Sequence, residues 1–192
     1  MRTVIQAAAV VVLTLAVVSA AGVTYAVATG FSARETPGGM ETAVVRAVRR
    51  FAIPRVFRDR ANPSPADAAQ LAEAMAHFAD HCASCHGNDG SGDSEMGRGL
   101  YPKPPDMRLP ATQAMSDGEL FYIIEHGVRF SGMPAFGNET ADGEAASWSL
   151  VRFIRRLPAL TADEAEQMKQ LNPRTPEEIR REMEEERFLR GS

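Results

Sequence analysis

The sequence has few of the residues that most often carry chemistry. Among 192 residues there are two cysteines, four histidines and one tryptophan. A structural zinc site needs four protein ligands, and neither a second cysteine pair nor a His-x-His cluster is present to complete one. The chain also lacks strand patterning, which disfavours a thioredoxin-like redox pair, and a disulfide across two intervening residues is disfavoured as well. These shortages leave few uses for the two cysteines.

Both cysteines lie in one short motif, Cys82-Ala83-Ser84-Cys85-His86. This spacing is the attachment signature of a c-type haem. Two thiols three positions apart can each add to a vinyl group on one edge of a porphyrin, and the next imidazole can then ligate the iron. The motif therefore predicts one covalently bound haem c, with Cys82 and Cys85 as anchors and His86 as an iron ligand.

Charge and proline are both missing from Thr3 to Ala33. About 20 helical residues cross the hydrocarbon core of a bilayer, so this run is long enough to span a membrane. A secretory signal with a small-x-small site at Ala26-Val27-Ala28 is the alternative, although signal cores are usually only about 7 to 15 residues. We predict a retained anchor over residues 1–33. Under either interpretation the chain is exported, and the haem domain is expected on the periplasmic side of the inner membrane, held by a single span.

Charge divides the remaining residues into three segments. Residues 34–65 are a basic linker, and residues 66–160, with seven basic and thirteen acidic side chains, form an acidic domain. Residues 161–192 form a charged tail, predicted to be helical. In the linker, apolar residues fall at helical spacing among arginines until Pro54. Two interpretations of this helix stay open, a helix lying on anionic lipid headgroups and a solvated spacer.

The acidic domain alternates predicted helices and loops, which gives an all-α fold. A helix is predicted over 65–81, with Asp67 or Ser64 as its cap. Residues 87–111 are too rich in glycine and proline for a long regular element. A capping pattern at Ser116 begins a second helix, and a third is predicted over 142–157.

Iron held by one histidine needs a sixth ligand to cycle electrons without binding small molecules. The chain has nine methionines, and Met133 stands in a loop between Gly132 and Pro134. Glycine permits an unusual backbone angle and proline stiffens the other side, so this loop is suited to directing one side chain inward. His126 is the alternative ligand, and a core methionine beside the haem is the alternative role for Met133.

These motifs occur in the order found in class I cytochromes c, which the chain resembles over roughly residues 66–158. The resemblance implies a small helical fold around one haem, Cys82 and Cys85 as thioether anchors, His86 as the proximal ligand and Met133 as the distal ligand. It also implies that Phe78 meets Leu150 and Phe153 where the first and last helices cross. The carbonyl of Pro102 is a candidate acceptor for the other imidazole N–H of His86. Where the family commonly has glycine on the first helix, this chain has Ala74.

The resemblance implies single-electron transfer without catalysis, by a membrane-tethered carrier or a subunit of a respiratory or dehydrogenase chain. The expected partners are the membrane and redox proteins or respiratory subunits with a basic docking face; no nucleic-acid partner is expected. A small peroxidase-type haem enzyme is an alternative that would need Met133 away from the iron. A haem sensor is another, but the residues after Pro158 are too few for an output domain.

Overall fold

The computed structural model describes residues 1–30, 32–174 and 176–191, and these residues contain helices and loops but no strand. They fall into two compact units, residues 1–35 and 36–192. The helices are α1 (Arg2–Thr29), α2 (Gly39–Ala52), α3 (Arg55–Arg58), α4 (Ala68–His77), α5 (Ala83–His86), α6 (Glu95–Arg98), α7 (Pro110–Gln113), α8 (Asp117–His126), α9 (Ala141–Arg156), α10 (Ala162–Met168) and α11 (Pro176–Leu189). A π turn over Phe78–Cys82 joins α4 to α5, and 3-10 turns follow α9 and α10.

The first unit is the apolar helix α1. Its segment Arg2–Ala28 contains an 18-residue stretch with a mean hydropathy of 2.4 and no buried residue, so by length and composition it can cross a membrane. At 1.5 Å per residue, a helix of this length exceeds the roughly 30 Å of bilayer hydrocarbon, which leaves room for tilt. The helix is consistent with the predicted single-pass anchor.

The core of the second unit forms where α4 crosses α9. The Asp67 side chain caps α4 by accepting a hydrogen bond from the Gln70 backbone N–H at 2.8 Å. The rings of Phe78 and Phe153 lie 5.0 Å apart, centre to centre, and both are almost fully buried, as the resemblance implies. Ala74 is also buried, with 2 % of its surface exposed, so the small residue of this crossing fits as alanine.

Helix α8 packs on the other side of α9. The predicted capping box is present, because Ser116 and Glu119 each bond the other's backbone N–H. The ring of Phe121 stacks on Trp148 with centres 4.1 Å apart. Arg155 joins the start of α8 to α9 through a bond from its Nε to the Asp117 carboxylate at 2.9 Å. These contacts fix α8, and with it the loop that follows α8.

The packed core extends beyond residues 66–160 on both sides. Ile53 is 2 % exposed. The backbone around Phe57 lies so close to α8 that a Cβ on Gly118 would come within 1.7 Å of the Phe57 carbonyl oxygen. At the other end, Met168 on α10 is fully buried in the same core. Parts of the linker and of the tail therefore belong to the folded domain.

Helix α11 is exposed along residues 177–189, and the exposed fraction of Met183 is 63 %. Its charges pair on the surface, as between Arg190 and Glu186 at 3.2 Å. Such exposed pairs contribute little, about 0–1 kcal/mol each. The predicted tail also includes Thr175 and Ser192, which lie outside the described residues, as does Phe31 of the predicted anchor.

Candidate haem site

The attachment motif lies on continuous helical backbone. Cys82 is the last residue of the π turn, and Cys85 and His86 are the last two residues of α5. The sequence predicts that the helix ends near His81, but the backbone stays helical through His86 because the π turn passes directly into α5. The helix ends at Gly87, where φ is +72°, a value that glycine adopts without strain. A π turn widens one turn of the backbone and is often found at functional sites.

The loop after Gly87 folds back and satisfies the open carbonyl groups of α5. The Gly92 N–H donates to the His86 carbonyl at 2.7 Å. The Ser94 hydroxyl lies 2.6 Å from the Ser84 carbonyl and 3.0 Å from the Cys85 carbonyl. The last carbonyls of a helix otherwise need water or other caps, so this loop fixes the end of the attachment helix without relying on solvent.

Helix α6 packs directly against the second cysteine. A Cβ on Gly97 would lie 2.4 Å from the Cys85 carbonyl oxygen, so only glycine fits there. The Ser94 hydroxyl accepts a hydrogen bond from the Gly97 N–H at 2.9 Å and caps α6. The Met96 sulfur lies 3.4 Å from the Cys85 sulfur. One serine therefore connects the backbone of the attachment helix to the loop that covers it.

Burial sets the protonation of the motif. It lowers the pKa of His86 to about 4, so the imidazole is neutral near pH 7 and has a nitrogen lone pair available for a metal. Burial, assisted by the charge of Cys85, raises the pKa of Cys82 to about 12. The two cysteines form no disulfide. A thiol that stays protonated is a poor thiolate ligand, which disfavours a cysteine-ligated metal site.

The Nδ1 atom of His86 is buried and has no hydrogen-bond partner among the described residues. The bond to the Pro102 carbonyl suggested by the sequence is therefore absent. An unpaired buried N–H costs about 1–3 kcal/mol.

The loop containing Met133 is held against the end of α8. Gly127 ends that helix with φ +66°, and a Cβ there would meet the Met133 carbonyl oxygen at 2.8 Å. The Val128 N–H donates to the same carbonyl at 3.0 Å, and the Met133 N–H donates to the Ser131 hydroxyl at 3.1 Å. Met133 itself is half-buried and is not part of the hydrophobic core. The backbone is therefore fixed while the side chain remains available.

A chain of contacts joins the two halves of the site. The Leu100 N–H donates to the Gly97 carbonyl at 3.2 Å, so Leu100 is tied to the residue that packs on Cys85. A Cβ on Gly132 would lie 2.7 Å from the Leu100 side chain. The structure thus brings the residue before Met133 to the loop that covers the attachment helix.

The other three histidines, including the alternative ligand His126, have contacts of their own. His126 is exposed, and its ring packs against Tyr122 at 4.2 Å and Phe57 at 5.5 Å, measured between ring centres. His77 and His81 pack edge to face with each other at 4.9 Å. Among the described residues, no group of three or more His, Cys, Asp or Glu side chains is arranged to hold a metal ion.

Residues 69–154 match the family described as cytochrome C oxidase, cbb3-type, subunit III. These residues form a c-type cytochrome domain. The match covers slightly less than half of the chain and leaves out both α1 and α11, and no curated protein matches the chain. Members with this domain carry covalently bound haem c with iron, and the cytochrome domain supports haem-based electron transfer.

The residues present fit that group. A cysteine pair at the attachment spacing is followed by a neutral histidine with a buried, unpaired Nδ1. Sequence reasoning did not identify Ser94, Gly97 or Leu100 as part of the site. The pattern Ser94-x-x-Gly97, a serine before a short helix that contains glycine, indicates a helix cap at Ser94 and is the sequence feature that points to Ser94 and Gly97.

Proposed function

We propose that this cytochrome is a membrane-tethered single-electron carrier or a redox subunit of a respiratory or dehydrogenase chain. Cys82 and Cys85 form the two thioether bonds, and His86 and Met133 ligate the iron from opposite faces. Residues 1–33 are the anchor, 34–65 the basic linker, 66–160 the haem domain and 161–192 the tail. The packing of Phe57 and Met168 against the core supports extending the haem domain into parts of the linker and tail.

The observation that carries this proposal is the way Met133 is presented. Its backbone is bound on both sides, its side chain is outside the core, and its neighbour Gly132 touches the loop over the attachment helix. A core methionine would be buried by apolar neighbours, as Met168 is. This supports a ligand role for Met133 over the packing role.

His/Met ligation supports electron transfer over catalysis. Two strong axial ligands leave no open coordination position for oxygen or peroxide, and methionine raises the reduction potential relative to a second histidine. When bound, the haem supplies the one-electron chemistry. The protein then needs only to hold both ligands and to keep one haem edge within reach of a partner.

The partners and compartment follow from the anchor and the charge. The matched family is named for a subunit of an oxidase, and α1 is suited to a single span, so we place the haem domain on the periplasmic side beside a membrane complex. The acidic excess of residues 66–160 favours a partner with a basic docking face. Association with that partner should slow as salt is raised, because salt screens exposed charges.

The ligand assignment is tested by replacing Met133 with histidine. The oxidised Met133→His protein should lose the far-red band of methionine–iron ligation, and its reduction potential should fall, because imidazole replaces the thioether. Met75→Leu, a change at a methionine that packs on the core, should leave both unchanged. Retention of the far-red band in Met133→His would refute Met133 as the ligand. Rapid binding of carbon monoxide by the unmodified reduced protein would favour the peroxidase-type alternative.

A further inference from the structure

Helix α2 turns its polar side toward the protein. The two half-buried residues on the helix are Thr42 and Arg49, which are seven positions apart and thus share one face. The Nη2 atom of Arg49 lies 3.7 Å from the Met115 sulfur, and burial lowers the pKa of this arginine. The hydroxyl of Tyr101 also donates to the carboxylate of Glu41 near the start of the helix. Polar contacts therefore hold α2 to the haem domain.

The opposite side of α2 is apolar and exposed. It is formed by Met40, Val44, Val48 and Phe51, whose exposed fractions are 83 %, 56 %, 61 % and 81 %. We call these four residues the outer face of α2. Their spacing places them in one stripe about three turns long. In a soluble domain such a stripe packs inward, whereas here it points away from the domain to which the helix is attached.

Charge indicates what covers this face. Arg50 is exposed and is the arginine of α2 that lies nearest the outer face by helical geometry, whereas Arg46 is exposed closer to the half-buried face. Residues 31–65 carry seven arginines against three acidic residues, whereas the rest of the domain is acidic. An apolar stripe bordered by arginine matches the boundary between headgroups and acyl chains of a bilayer with anionic lipid. A second copy of the same helix offers only one acidic residue, Glu41, against three arginines, and Glu41 is already bonded by Tyr101.

The length of the connection supports the same occupant. Only residues 30–38 separate α1 from α2. A chain of this length reaches at most roughly 30 Å when fully extended. A helix tied so closely to a membrane span meets the membrane surface at a high effective concentration, so even a weak affinity is sufficient for docking.

We propose that the outer face of α2 docks into the surface of the same bilayer that α1 spans, with Arg50 on anionic headgroups. This proposal rests on the membrane anchorage proposed above. Docking fixes the orientation of the haem domain, because Glu41 on α2 bonds Tyr101 of the loop that follows the attachment helix. The haem domain is then held at a set angle to the membrane instead of moving freely on a flexible tether.

The test uses the full haem-loaded chain in lipid nanodiscs containing phosphatidylcholine and about a quarter phosphatidylglycerol. Cys82 and Cys85 are consumed by haem attachment, so the new cysteine in a Val48→Cys variant is the single site for a photoreactive label. The control is Gln167→Cys on α10, an exposed position away from α2. After illumination, mass spectrometry identifies whether the label has reacted with lipid, protein or water.

We expect lipid adducts from position 48 and mainly water quenching from position 167. Replacing Arg50 with glutamine should weaken docking about fivefold, and nanodiscs of phosphatidylcholine alone should weaken it at least as much. Crosslinks from position 48 to a second copy, or water quenching equal to that of the control, would overturn the proposal. A chain that fails to co-elute with nanodiscs would refute the anchor, and the docking proposal with it. A chain that co-elutes but gives no lipid adducts from position 48 would refute docking alone.

Discussion

Replacing Met168 with alanine tests whether the short helix after residue 160 belongs to the haem domain. The sequence assigns residues 161–192 to a charged tail, yet the Met168 side chain is fully buried in the domain core. Helix α10 is only seven residues long, too short to be stable by itself. It is held by its capping box between Thr161 and Glu164, by an ion pair from Arg156 to Glu164 at 3.1 Å, and by Met168.

The expected effect of Met168→Ala follows from this burial. Full burial of a methionine side chain contributes about 1.5–3 kcal/mol, and the cavity left by truncation adds to the loss. The free energy of unfolding should therefore fall by about 2–5 kcal/mol. For a folding unit of this size, each kcal/mol lowers Tm by about 2–4 °C, so Tm should fall by roughly 4–20 °C.

Denaturant titration of the haem-loaded chain in detergent measures this change. The only tryptophan, Trp148, is 2 % exposed, so its fluorescence reports on the packing of α9. Met183→Ala on α11 is the matched control, and it should change stability by less than about 0.5 kcal/mol because Met183 is exposed. If Met168→Ala also lost less than 1 kcal/mol, on the order of a surface change, α10 would not be part of the folding unit.

Three further predictions concern the loop over the attachment helix. Ser94→Ala removes the cap and the bonds to two helix carbonyls, so the free energy of unfolding should fall by about 1–2 kcal/mol in denaturant titration, and Ser94→Thr should retain most of it. Gly97→Ala places a Cβ 2.4 Å from a backbone oxygen and should lower the yield of haem-loaded protein, measured by spectrophotometry. The control is Gly99→Ala, where the closest approach is 3.3 Å, and equal yields in the two variants would contradict the packing argument. Hydrogen bonds from Arg108 hold the pKa of Asp106 below its ordinary 3.8. The Asp106 carboxylate therefore stabilises the fold above that pH, and this contribution is lost as pH falls through the lowered pKa. Asp106→Asn should reduce the acid-induced drop in Tm.

Much of the helical fold could be predicted from local patterns. Apolar spacing of three and four residues gave α4, α8 and α9 within a few residues, and the capping box at Ser116 fixed one helix start. The π turn at Phe78–Cys82 could not be predicted this way. Its cause is a change in backbone hydrogen bonding, and Phe78 fits the apolar stripe whether or not that change occurs.

The residues of the candidate site also divide into those that local sequence predicts and those that depend on long-range contacts. Local spacing alone determines the chemistry of the attachment motif, so the sequence predicts Cys82, Cys85 and His86. The sequence also predicts Met133 as a candidate ligand, because its neighbours Gly132 and Pro134 restrict the loop. The roles of residues 94–100 depend on contacts between an irregular loop and a helix end, and such loops have no periodicity. The inward packing of Phe57 and Ser64 likewise rests on long-range contacts, in a segment that its charge assigns to a linker.

An irregular loop can hold a redox site only if its own polar groups are satisfied, because unpaired backbone groups favour exchange with water. Here the loop supplies donors to the carbonyls that the attachment helix leaves open, from Gly92 and Ser94, and glycine at position 97 allows it to approach without a side chain between. The same loop meets Gly132 through Leu100. A shift of this loop would therefore disturb both the attachment helix and the Met133 segment. That shared dependence explains why a glycine-rich and proline-rich stretch without regular secondary structure can hold the two proposed ligand segments in fixed relation.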